Sequence, residues 1–154
     1  MSGRWPGVLF LASALAALAC AYVSQMVFGL IPCKLCIYER IPYFAVIVPA
    51  LINIVKRDKY SFFVSIACYV SGVVISLYHV SLEHGWIEDF LHCADNISNA
   101  ATLSDIKASL LSNNVPVSCK VPGFVFLGLS MSGWNIVYSI FCMIAAFLVR
   151  KRGY

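Results

Sequence analysis

Four long apolar stretches, separated by short polar breaks, set the pattern of this chain. The first runs from Gly7 to Phe28. As a helix its twenty-two residues would rise roughly 33 Å, enough to cross a bilayer. The second runs from Ile41 to Val55 and extends back through Ile37 and Tyr38. It is short, so Glu39 and Arg40 should lie near the interface, where a charge can pair or snorkel. Pro42 falls in its first turns, where a missing N–H matters least, and the deeper Pro49 should kink it. The third run, Tyr60 to Val80, carries Ser65, Cys68, Ser71, Gly72 and Ser76 at the spacing of a helix-packing seam. In the fourth, Phe124 to Val149, Gly128 with Ser132 and Leu129 with Gly133 have the same spacing. The pattern predicts an all-α membrane protein. Residues 1–154 form one domain, a bundle of four transmembrane helices at about 7–28, 37–55, 60–80 and 124–149.

Residues 87–122 make up the sizeable hydrophilic region. Within it, Thr102-Leu103-Ser104-Asp105 resembles a capping box, and Leu103, Ile106, Leu110 and Leu111 fall on one helical face. This predicts a short interfacial helix, lying on the membrane surface or packed on its own loop. The first run has a rival reading: Arg4, an apolar core and Ala17-Leu18-Ala19 resemble a cleavable signal peptide ahead of Cys20. Hydrophobicity that continues towards Ile31 is too long for a signal core and favours a retained span.

Composition agrees with a membrane protein. The chain is 61% hydrophobic and 12% charged, against about 25% charged in an ordinary soluble domain. Its net charge of +4 sits in short basic clusters between apolar runs, which speak for topology rather than for binding nucleic acid. Arg4, Lys56 to Lys59 and Arg150 to Arg152 fall on one side, with seven of the eleven basic residues and one acid, Asp58. The positive-inside rule makes that side, with both termini, cytoplasmic. Two loops then lie outside, a short one at 29–38 and a long one at 81–122.

The seven cysteines divide along this topology. Cys20, Cys68 and Cys142 lie inside apolar runs and read as small packing residues. Cys33, Cys36, Cys93 and Cys119 lie on the outer side, where disulfides persist. Sequence does not choose among their three pairings. Pairing within loops would give Cys33–Cys36 and Cys93–Cys119. A C-x-x-C disulfide closes a tiny ring and gains little loop entropy, so a purely structural use is poor and redox chemistry is favoured. In a helix, Cys36 would sit in the first turn, where the dipole favours a thiolate, with Arg40 four residues on along the same face. A zinc site through Cys33, Cys36, His92 and Cys93 lacks the usual ligand spacing, and no metal is expected.

The motif Pro32-Cys33-x-Leu35-Cys36-Ile37-Tyr38-Glu39-Arg40, the two spaced cysteines of the long loop and Phe126-Leu127-Gly128-Leu129 after Cys119 resemble the DsbB family of bacterial membrane thiol oxidases. The resemblance covers nearly the whole chain. It implies a protein-dithiol:quinone oxidoreductase of the bacterial inner membrane, with its redox loops periplasmic. The partner would be a DsbA-like periplasmic thioredoxin-fold protein that attacks a Cys93–Cys119 disulfide through Cys93. Cys119 would exchange with Cys33, and Cys36 would pass electrons to ubiquinone or menaquinone. It also implies a quinone site at Glu39 and Arg40 with a histidine from the end of the third run, and both His79 and His84 fit that position. Two alternatives remain. A vitamin K epoxide reductase-like enzyme should carry its C-x-x-C in a late helix, whereas here it comes first. A non-catalytic four-span scaffold would use the outer cysteines for structure alone.

Overall fold

The computed structural model describes residues 4–29, 32–88, 119–120 and 122–152. The predicted interfacial helix, Cys93 and His92 lie outside the described residues. Helix α1 spans Trp5–Phe28, α2 Lys34–Tyr38, α3 Ile41–Lys56 and α4 Lys59–Glu83. A two-stranded hairpin of β1 (Val125–Phe126) and β2 (Leu129–Ser130) precedes α5 (Met131–Arg152). Among the described residues, four helical segments are long and apolar enough to cross a membrane: α1, Lys34–Lys56, α4 and α5. The fold is the four-span all-α bundle that the apolar runs predict.

Local chemistry sets the ends. Arg57 adopts a left-handed conformation at φ 52° and ends α3. Asp58 then caps α4, its carboxylate accepting from the Ser61 N–H at 3.2 Å. So short a connection makes α3 and α4 antiparallel neighbours. The helices pack in a ring in which α1 meets α3, α3 meets α4, α4 meets α5 and α5 returns to α1.

The centre of the ring is Phe10, Ala14 and Leu18 from α1, Tyr43, Val46 and Ala50 from α3, Phe62 and Tyr69 from α4, and Cys142 and Ala146 from α5. Polar groups buried there find partners, as an apolar surrounding requires. Ser13 and Tyr69 share a 2.6 Å hydrogen bond. The Tyr43 hydroxyl bonds Asn135 and Ser139, and Asn135 donates to Ser76 at 2.8 Å. Ser65, Gly72 and Ser76 are buried in the expected seam of α4, whereas Ser71 is exposed and donates to the Cys68 carbonyl. Cys142 is a buried packing residue, but Cys20 is exposed on α1, so it contributes little to the core.

Two elements differ from the apolar pattern. The second span is not one continuous helix, because a turn at Glu39 and Arg40 separates α2 from α3. At the start of the fourth apolar run, residues 125–130 form the hairpin, and the helix begins only at Met131. Leu127 and Gly128 both have positive φ, 52° and 80°. Two such residues make the tight turn that joins antiparallel strands. Gly128 therefore serves a turn rather than a helix contact, and Ser132 and Gly133 are the buried small residues.

At the far end, Gly7 lets α1 approach α3. A Cβ there would lie 2.9 Å from the Ala50 carbonyl oxygen and 2.8 Å from Ile54 Cγ1. Gly7→Ala should therefore destabilise the bundle by about 1–3 kcal/mol through overpacking. Chemical unfolding in detergent measures this, and an unchanged midpoint would mean that the α1–α3 contact gives way freely.

Candidate functional site

Three cysteines meet at the end of the bundle where α2 begins. Cys33 is the N-cap of α2, and its sulfur accepts the Cys36 N–H at 3.2 Å. The Cys33 and Cys36 sulfurs lie 2.8 Å apart, and both thiols are free. Cys119 packs with Cys33, Leu35 and Leu82 in one buried cluster, with Cys36 and Tyr78 against it. The loop cysteine nearest the fourth span is thus gathered with the C-x-x-C pair, although many residues separate them in sequence. The Cys33 thiol is pushed well up from its ordinary range, first by its hydrogen bond with Cys36 and then by burial, while the Cys36 N–H pulls the other way. In the reduced pair, Cys33 is the member that keeps its proton.

Of the two candidate histidines, His79 belongs to this cluster. It is 4% exposed and projects from α4. Its Nε2 lies 3.6 Å from the Cys33 sulfur, and its Nδ1 is 2.8 Å from Glu39 Oε1. His84 caps α4, is exposed and stacks on Trp86 with ring centroids 5.0 Å apart. The turn that breaks the second span explains the pairing of Glu39: it buries the carboxylate against α4, where His79 compensates it.

Arg40 follows in the same turn and points elsewhere. Its Nη1 donates to Gln25 Oε1 at 3.0 Å, and its guanidinium lies over the Tyr22 ring, 5.1 Å from the centroid. Cys36 and Arg40 belong to separate helical segments, joined by residues that keep right-handed helical dihedrals. A cavity joins them. It has a volume of about 620 Å³ and is lined by Cys33, Cys36, Glu39, Arg40 and His79, with residues of α1 and α5 opposite. That volume is in the range of small-molecule sites, which are mostly apolar with a few convergent polar groups.

Two members of the site were not singled out from sequence. Glu83 Oε1 lies 3.7 Å from His79 Nε2 and accepts from Ser132 Oγ at 2.8 Å. The i, i+4 spacing of His79 and Glu83 at the end of a span was the available signal. Gln25, a polar residue late in an apolar run, was the other.

A four-span bundle whose paired thiols line a cavity is a multi-pass membrane protein equipped for thiol chemistry. The profile of the disulfide bond formation protein DsbB family matches residues 3–149. The chain is 32% identical to disulfide bond formation protein B of Methylococcus capsulatus over 142 residues, which cover 85% of this chain and 82% of that protein. It is 30% identical to an uncharacterized protein of Rickettsia prowazekii over 132 residues, 83% of this chain and 76% of that protein. The chain belongs to the DsbB family of disulfide-bond-forming membrane proteins.

The geometry makes the two C-x-x-C thiols unequal. In Cys93→Ser/Cys119→Ser protein, reduced and treated with limiting alkylating reagent near neutral pH, the singly modified product should carry its label on Cys36. Cys33 should become reactive only as pH rises, because its protonated form does not attack. Peptide mass spectrometry reads the site, and a preference for Cys33 at neutral pH would contradict this order.

Proposed function

We propose that this chain is a protein-dithiol:quinone oxidoreductase that generates disulfides. The observation that carries this reading is that Cys33 packs with the buried Cys119 on one side, while Cys33 and Cys36 line a cavity together with His79 and Arg40. The substrate is a reduced thioredoxin-fold protein of the DsbA type, and the acceptor is a membrane ubiquinone or menaquinone. The charge pattern puts the redox loops in the periplasm of a bacterium, with both termini in the cytoplasm.

Thiol exchange conserves disulfides while moving electrons. A partner thiolate attacks Cys93 of the Cys93–Cys119 disulfide, forming a mixed disulfide and releasing Cys119. The partner's second thiol resolves that bond and leaves oxidised, with Cys93 and Cys119 reduced. Cys119 then attacks Cys33 of the Cys33–Cys36 disulfide, and the packing of Cys119 against Cys33 supports this step. Cys93 closes on Cys119, and the pair Cys33 and Cys36 holds the two electrons.

The cavity suits a quinone by its size, its apolar walls and its few convergent donors. When bound there, a quinone supplies a sink for two electrons and two protons. Arg40 contributes fixed positive charge at that wall, and Gln25 holds it in position. His79, oriented by Glu39, is a proton-carrying group beside Cys33. Burial of Cys33 and His79 keeps water from the thiols.

Purified protein in detergent, given a reduced partner and a soluble quinone, should turn over with formation of partner disulfide. Cys33→Ala, Cys36→Ala, Cys93→Ala and Cys119→Ala should each abolish turnover, and Cys68→Ala and Cys142→Ala should not. Arg40→Ala should lower kcat/KM for quinone roughly ten- to a hundredfold, the loss of a charge-assisted hydrogen bond of about 1.5–3 kcal/mol. Arg40→Lys should recover part of it, and exchange at Cys93 should persist in both. Full activity in Cys36→Ala, or no turnover in the intact protein, would leave the scaffold reading. Reporter fusions at Lys59 and Asn113 should give opposite signals, and like signals would overturn the assigned sidedness.

A further inference from the structure

Cys33, Cys36 and His79 bring two sulfurs and one imidazole nitrogen within 4.8 Å of one another. We propose that the reduced pair, with His79, is a binding site for a zinc-class divalent cation, and that the bound ion withholds the dithiol from exchange. The ion is a regulatory ligand, not a resident cofactor. Binding as such does not depend on the proposed electron path.

The donor set fits such an ion in identity and geometry. Borderline and soft cations favour thiolate and imidazole over carboxylate or water alone. With Zn–S near 2.3 Å and Zn–N near 2.0–2.1 Å, a tetrahedral ion sets sulfur and nitrogen about 3.5 Å apart and two sulfurs about 3.8 Å apart. Cys33 Sγ and His79 Nε2 are already 3.6 Å apart. The sulfurs, at 2.8 Å, need to open by about 1 Å, which rotation of the half-buried Cys36 side chain can supply. Glu83 Oε1 lies 3.7 Å from the same nitrogen but outside the three-donor cluster, so the fourth position is left to water.

A second observation is independent of the sulfurs. His79 turns Nε2 towards the thiols and gives Nδ1 to the Glu39 carboxylate at 2.8 Å. A carboxylate behind a histidine fixes its tautomer and raises its basicity, the arrangement that orients histidine ligands in metal sites. Glu39 and Glu83 are both buried side chains facing this one imidazole. Arg40, on the same cavity wall, gives a hydrogen bond to Gln25. A dication offsets the two carboxylates and the thiolates together.

Binding changes no oxidation state. The Cys33 and Cys36 thiols release two protons to solvent, and each sulfur forms a bond to the ion. In the disulfide form those sulfurs are bonded to each other and offer no thiolate. The site therefore exists only in the reduced protein, and occupancy opposes re-formation of the disulfide.

The test uses cobalt(II) as probe on full-length Cys93→Ser/Cys119→Ser protein without a polyhistidine tag, so that the long-loop thiols are absent. Protein reduced and desalted under anaerobic conditions should take up one cobalt ion. It should show thiolate-to-cobalt charge transfer and the visible bands of a tetrahedral ion, both lost on adding zinc. The same protein oxidised to the Cys33–Cys36 disulfide should show neither, and this comparison needs no substitution at the site. Glu39→Gln should weaken zinc binding about 10- to 100-fold. Cys36→Ser should lose most of the charge transfer. Reduced protein with no charge transfer would overturn the proposal, as would an equal spectrum from the oxidised form. Cobalt binding by this variant, together with no quinone-dependent turnover by the unsubstituted protein, would refute the proposed function and leave this site intact.

Discussion

The hydrogen bond between Glu39 and His79 is the contact on which the geometry of this end of the bundle depends. A carboxylate inside a four-span bundle needs a partner, since burying it alone is costly. Glu39 reaches that partner because the chain turns between α2 and α3. The turn in turn sets Cys33 and Cys36 on a short helix of their own, over the end of α4. It also sends Arg40 away from Glu39, towards Gln25 on α1. One hydrogen-bonded contact thus separates the two side chains of a Glu-Arg dipeptide into different environments, one beside the thiols and one across the cavity.

Below that level the bundle is held by a different economy. Aromatic residues, alanines and serines fill the centre, and the hydroxyls close on one another or on backbone carbonyls. Between helices in lipid, hydrophobicity does not discriminate inside from outside, so close packing and internal hydrogen bonds have to. The many large apolar side chains on the outer faces, such as Phe63, Val74, Ile140 and Phe147, are then the lipid-facing surface of a membrane protein.

Much of this was legible in the sequence for physical reasons. A membrane span must be long, apolar and helical, so the four runs declare themselves. The C-x-x-C motif by itself left redox, structural and metal uses open, and its outer position and tiny ring then favoured redox. What the sequence left open was whatever depends on helix ends. His79 lies in the third run and His84 just beyond it, and the rotation of α4 decides between them: His79 packs beside Cys33 and Glu39, and His84 is exposed beside Trp86. The spacing of Cys36 and Arg40 presumed an unbroken helix, and the turn at Glu39 and Arg40 was not legible in it. The hairpin at 125–130 hid within an apolar run because hydropathy does not distinguish a strand from the start of a span. Gly128 was its one local sign.

Cys33 has two occupations at once. In the proposed cycle it is a reactant, and its sulfur is also the side chain that caps α2 by accepting the Cys36 N–H. A helix of five residues has little besides such a cap to hold its first turn. Removing the thiol with alanine therefore deletes an anchor along with the sulfur that the proposed exchange attacks, and any loss of activity mixes the two. Serine keeps an acceptor at the cap and is a favoured residue there, while it cannot form a disulfide. The pair of substitutions separates what the sulfur does as an atom that reacts from what it does as an atom that holds the backbone still.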